Sequence, residues 1–237
     1  MTSTRRLSHR RPRLILIGEG EAEVGHKPAA GRRDHRRGVL PQLLQTAIAG
    51  KPEAPGGPLS FKVLDAQTLR DLRVHRAPKG KVFQRKMGLA LHKVDELSAD
   101  GIAFLVDRET PRRGDPRPKI SAEVARFRAE FGRPFAAVIG AACRCLETWL
   151  LADREARRTA FGAAGPDPFS VSPEERPPAR ELKAFLRGRC KAEHLSEPEA
   201  RRILASHARP TELARRCPKS YRPFLQDVKS ELKPLCS

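Results

Sequence analysis

Two strand ends that carry acids hold the chemistry of this chain. Leu14-Ile15-Leu16-Ile17 runs straight into Gly18-Glu19-Gly20-Glu21, and Ile102-Ala103-Phe104-Leu105-Val106 runs into Asp107-Arg108-Glu109. A continuous apolar run bounded by turn residues reads as a buried parallel strand. Ligands gather outside the carboxyl ends of such strands. Asp107 and Glu109, two apart in an extended segment, face the same way. Glu19 joins them if the first strand lies beside the later one. Clustered carboxylates repel one another, and burial raises their pKa values. A hard divalent cation relieves both effects, and oxygen donors suit Mg²⁺ (or Mn²⁺) held together with water and phosphate. Such an ion activates water and stabilises charge on a phosphodiester. Glu19, Asp107 and Glu109 are therefore the candidate metal ligands and catalytic acids. Glu147 is a candidate fourth acid, although a Glu in a first helical turn also suits the helix dipole without any chemistry.

These acids need a scaffold, and the hydrophobic pattern supplies one. Strands are expected at residues 13–18, 61–64, 102–106 and 135–139. Helices are expected at 39–48, 82–97 and 119–131, with another around Leu146, Trp149, Leu150 and Leu151. That alternation predicts an α/β fold with a mainly parallel central sheet flanked by helices. Residues 22–37, rich in Gly, Arg and His, read as a loop, so Glu21 and Glu23 read as solvated acids, with outer-shell acids of the site as the alternative. Residues 66–78 read as irregular, Asp115 as a turn residue and Trp149 as core. Residues 1–12 read as a disordered basic arm and 13–161 as the α/β domain. Residues 162–237 form a C-terminal helical appendage, with helical patterns at 179–187, 198–207, 210–216 and 220–232.

Forty-seven Lys and Arg against 28 Asp and Glu leave a formal net charge of +19, with a sequence pI near 10.7. Such an excess implies a polyanionic partner, nucleic acid foremost. Arg32, Arg33, Arg36 and Arg37 in the basic loop, with Lys79 and Lys81 before the long helix, are the expected phosphate contacts. One Trp, one Tyr and ten Phe offer few stacking platforms, and none interleaves with the basic residues. Binding should therefore be sequence-tolerant and sensitive to salt. Five Cys (143, 145, 190, 217 and 236) show no disulfide framework, and Cys143-x-Cys145 lacks zinc spacing. No run is long enough to span a membrane, and no phosphate-binding Gly-rich loop ends in Lys-Ser/Thr. A cytoplasmic protein with no membrane partner is expected.

The quoted strand ends resemble those of the TOPRIM fold, where Glu-Gly closes one apolar strand and Asp-x-Asp or Asp-x-Glu a later one. Three stretches resemble the TOPRIM-like domain-of-unknown-function family 4276 more closely. They are Ile17-Gly18-Glu19-Gly20-Glu21, Phe104-Leu105-Val106-Asp107-Arg108-Glu109 and Leu146-Glu147-Thr148-Trp149-Leu150-Leu151-Ala152-Asp153. Arg216-Cys217-Pro218-Lys219-Ser220-Tyr221-Arg222-Pro223-Phe224 is similar to that family's closing segment, so the resemblance touches residues 13–231 through short motifs. It implies a Mg²⁺-dependent nuclease of prokaryotic defence loci with an AAA- or ABC-type ATPase partner. In that scheme Glu19 is the acid/base or metal-side carboxylate, and Asp107 and Glu109 are the metal ligands. Two departures stand out: Gly18 where the family carries Val or Ile, and a basic insertion at 24–37. The rival expectation is a non-catalytic nucleic-acid-binding or regulatory subunit of an ATPase complex. A third is a phosphatase or nucleotidyl transferase on a small phosphorylated substrate.

Overall fold

The computed structural model describes residues 10–25, 34, 38–55, 57–74, 81–108, 114–162, 172–175 and 179–236. Four strands, β1 (Arg13–Gly18), β2 (Lys62–Thr68), β3 (Gly101–Arg108) and β4 (Ala136–Cys143), form one parallel sheet in the order β2-β1-β3-β4. Alternation along β1 and β3 divides the core into two layers, as the strand period of two requires. Ile15, Ile17, Ile102, Phe104 and Val106 face one layer, covered by α3 (Val82–Glu96) and α4 (Pro116–Phe131). Leu14, Leu16, Ala103 and Leu105 face the other. There they meet α2 (Val39–Ala49), α5 (Leu146–Leu150), α6 (Arg154–Phe161) and the later helices.

Those later helices are α7 (Ala179–Ala192), α8 (Glu197–His207), α9 (Pro210–Arg216) and α10 (Tyr221–Asp227). The last continues as a π-helical turn over Val228–Leu232. Leu182, Leu204, Tyr221, Phe224 and Val228 share one buried cluster with Leu16 and Trp149. The tail thus supplies much of one core layer. Trp149 is fully buried, with its indole N–H donating to Ser220 Oγ at 2.6 Å.

Three expectations need correction. β2 runs on to Thr68, through residues expected to be irregular, because it pairs with the whole of β1. β4 runs to Cys143, four residues past its expected end, paired with all of β3. A one-turn helix, α1 (Glu21–Val24), stands at the start of the expected loop. Residues 1–9 and most of the basic insertion lie outside the described residues; Arg10 is ion-paired with Asp100 at 3.3 Å.

Among the described residues, side chains rather than a fifth strand close the outer edge of β4. Asp227 accepts from the Ile139 amide at 2.9 Å and pairs with Arg117 at 2.6 Å, while Arg117 donates to the Ile139 carbonyl. Glu231 and Arg128 repeat the arrangement around Ala137 and Phe135. Two such ion pairs satisfy an edge that would otherwise recruit another chain. Asp227→Ala leaves the Ile139 amide without its acceptor and Arg117 without its carboxylate partner. The expected loss is about 2–3 kcal/mol in urea unfolding, with faster aggregation on warming.

Candidate active site at the carboxyl ends of β1 and β3

The register of the sheet places the two strand-end acids side by side. Gly18 pairs with Leu105, and the Glu19 amide donates to the Leu105 carbonyl at 3.1 Å, extending the ladder by one residue. The Glu19 side chain then reaches the next strand, where its Oε2 accepts from the Asp107 amide at 2.8 Å. Asp107 lies within β3 rather than after it, opposite Ala142 of β4. No described residue donates a hydrogen bond to its carboxylate.

Glu23 is the acid that the sequence did not announce. It lies buried in α1, not in a solvated loop, and its Oε2 accepts from the Gly20 amide at 2.6 Å. That contact caps the short helix from its third residue, as a capping-box acid does. Glu21, by contrast, is exposed. Gly18 explains the close fit. A Cβ there would lie 2.6 Å from Glu23 Cβ and 2.9 Å from Val24 Cγ1. Gly38 is equally constrained, since a Cβ would meet the Glu23 carbonyl oxygen at 2.6 Å. The missing side chain at Gly18 is therefore what lets α1 lie on the strand end. Gly18→Val should lift α1 from β1, displace Glu23 and lower stability by about 1–3 kcal/mol, as overpacking does. Thermal unfolding tests this directly.

Electrostatics set these groups apart from ordinary surface acids. Burial, and then the charges of Glu23, Glu19 and Glu147, push the Asp107 carboxyl up from 3.8 to about 8; Lys183 of α7 opposes the shift. Burial likewise raises Glu23 to about 7, against the Gly20 hydrogen bond and with help from Glu19 and Glu147. Perturbed acids in a cleft are a signature of functional sites. Glu147 opens α5 and faces this cluster, but its Oε1 accepts from Arg201 of α8 at 2.9 Å, and Arg201 also holds Glu197. It is a buried, ion-paired flank of the site. Cys145, at the cap of α5, has its thiol pushed up to about 12 by burial and by Glu147 and Asp107, so it carries no thiolate for nucleophilic work.

A cleft of about 860 Å³ opens in front of Glu19 and Asp107, between the first turns of α3 and α4. Leu69, Val82, Phe83 and Val106 give it an apolar wall; Lys86, Arg108 and Lys119 add positive charge. Arg108 pairs with Asp115 at 3.3 Å, and Asp115 caps α4 through the Arg117 amide at 2.9 Å. Of the expected phosphate contacts, Lys81 is exposed immediately before α3. Arg32, Arg33, Arg36, Arg37 and Lys79 lie outside the described residues, as does Glu109.

Among the described residues, no three His, Cys, Asp or Glu side chains form a group that could hold a metal ion, and the five cysteines are free thiols. No described helix is long and apolar enough to cross a membrane. The fold and site define an α/β protein with an acidic centre at the carboxyl edge of a four-stranded parallel sheet. No protein-family model, curated protein or solved structure matches the chain.

Proposed function

We propose that this chain is a Mg²⁺-dependent phosphodiester-cleaving enzyme of TOPRIM type that acts on nucleic acid. The observation that carries the proposal is the meeting of Glu19 and Asp107 across neighbouring strand ends, with the carboxylate of Asp107 lacking any hydrogen-bond donor among the described residues. A half-buried carboxylate facing other acids is a site that a cation would relieve, and an all-oxygen donor set matches Mg²⁺. Mg²⁺ is held by few carboxylates plus water and substrate phosphate, so Glu19 and Asp107, with Glu109, would suffice to hold it. When bound, the ion would supply activation of water and neutralisation of phosphate charge.

The chain's own residues do the rest. Glu23, raised to about 7 and fixed by the Gly20 amide, is poised to take or give a proton at neutral pH. Arg201 holds Glu147 in place behind it. The net charge of +19 favours association with a polyanion. By the resemblance, an AAA- or ABC-type ATPase in a defence system is the proposed partner.

Incubating plasmid and single-stranded substrates with Mg²⁺ or Mn²⁺ tests the proposal, comparing the wild type with Glu19→Gln and Asp107→Asn. Metal-dependent cleavage lost in both variants supports it. A non-catalytic nucleic-acid-binding or regulatory subunit is favoured by one observation, the lack of a metal-suited group among the described residues. Binding equal in all three proteins, with cleavage by none, would select that reading.

A further inference from the structure

We propose that the cleft beside Glu19 and Asp107 is a nucleotide pocket that admits an unpaired base, so that the substrate is presented as a single strand. The proposal rests on the nucleic-acid reading above but not on cleavage itself. Pockets of roughly 300–1,000 Å³ hold molecules of drug or nucleotide size, and this one measures about 860 Å³. It has room for one or two nucleotides and none for a duplex. Glu19 and Asp107 line it, half-buried at the strand ends, so a nucleotide seated in the cleft brings its phosphate beside them. Enzymes that act on a buried base pay to unstack it, and least when it is already single-stranded.

The lining fits a nucleotide in three respects. Phe83, half-buried, lines the cleft with Leu69 and Val82 and offers an aromatic and apolar wall against which a base can lie. Gln84 donates its amide to Glu123, which is 5% exposed and is held in turn by Arg126 at 2.9 Å. A side-chain amide fixed in this way presents its carbonyl oxygen in one orientation, as an acceptor for a base amino group. Lys119, exposed on α4, adds charge for the backbone phosphate. The scarcity of aromatics along the sequence does not matter here, because one ring at the cleft suffices.

The test is binding without chemistry: fluorescence anisotropy in EDTA at about 0.15 M salt, where non-specific phosphate contacts are weakened. The probes are labelled oligothymidylate and oligouridylate of about a dozen residues, within single-strand site sizes, and a hairpin duplex of equal charge. The wild type should bind at least one single strand about tenfold more tightly than the duplex. Ala122→Trp, which fills the cleft from an exposed helical position, and Phe83→Ala should each remove that preference, and Lys191→Ala, exposed on α7 and outside the cleft lining, should keep it. Equal binding of single strand and duplex, or a preference unchanged in both Ala122→Trp and Phe83→Ala, would overturn the pocket. Intact preference without any cleavage would leave the pocket standing and remove the enzyme.

Discussion

Asp107→Asn is expected to reduce Mg²⁺-dependent cleavage by about 10²–10³-fold, the scale of loss when a group that stabilises transition-state charge is removed, and at the same time to stabilise the fold. Both effects have one cause. Burial and the neighbouring acids hold the Asp107 carboxyl at about 8, against 3.8 when unfolded. A raised folded pKa means that the native state binds the proton more tightly than the unfolded chain. Stability therefore falls as pH rises from about 4 to 8, and the penalty is complete above 8. The whole shift would correspond to roughly 6 kcal/mol. Asp107 keeps a hydrated side, so Asn should recover about 1–3 kcal/mol at pH 8.5 and almost nothing at pH 4. Urea unfolding at the two pH values measures it. Glu23, raised to about 7, adds a second step of the same sign. Cleavage by the wild type should rise with pH through 7 to 8, as the acids give up the protons that compete with the metal.

Asp153→Ala should be the most destabilising change outside the site, by about 2–3 kcal/mol, because it takes a fully buried acceptor away from two backbone amides and from the Arg209 guanidinium. The Asp153 side chain is 0% exposed. It accepts from the Arg209 amide at 2.8 Å, from the Arg209 guanidinium at 2.6 and 2.9 Å, and from the Glu155 amide at 2.9 Å. Burial works to raise its pKa, but these bonds and the Arg209 charge outweigh it and hold the carboxyl below its usual range. The contribution is therefore present above the unfolded pKa and is lost as pH falls through the depressed folded value. One carboxylate caps α6 and ties it to the start of α9, joining the body to the tail. In a protein whose stability is about 5–15 kcal/mol, that loss is a substantial fraction of the whole. The Asp153→Ala/Arg209→Ala double variant should cost less than the sum of the single changes, the mark of a direct pair.

The strands were legible because β1, β3 and β4 are apolar runs buried on both faces, which a parallel sheet demands. The neighbouring positions of Glu19 and Asp107 followed once β1 and β3 were taken as adjacent. Glu23 was not legible. A four-residue helix has no period to detect, and Gly20 stands where a Ser or Thr would have completed the familiar capping signature with the acid three residues on. That spacing was the available signal. β2 was cut short because Asp65 and Gln67 made it look polar, whereas Gln67 bonds to Asp65 and Lys93 pairs with it. Lys183, Arg201 and Arg209 reach the body from the tail through contacts that no local pattern encodes. The Leu150-Leu151-Ala152-Asp153 stretch, quoted as a motif, turns out to be core and a helix cap.

The most direct measurement is Mn²⁺ binding to the purified chain, followed by electron paramagnetic resonance at pH 8, with Mg²⁺ as competitor. A Mn²⁺ site that Mg²⁺ displaces, that weakens on acidification to pH 6 and that disappears in both Glu19→Gln and Asp107→Asn is the predicted result. Mn²⁺ binding unchanged in the two variants, or none at millimolar metal, would contradict the assignment of these acids as a divalent-cation centre.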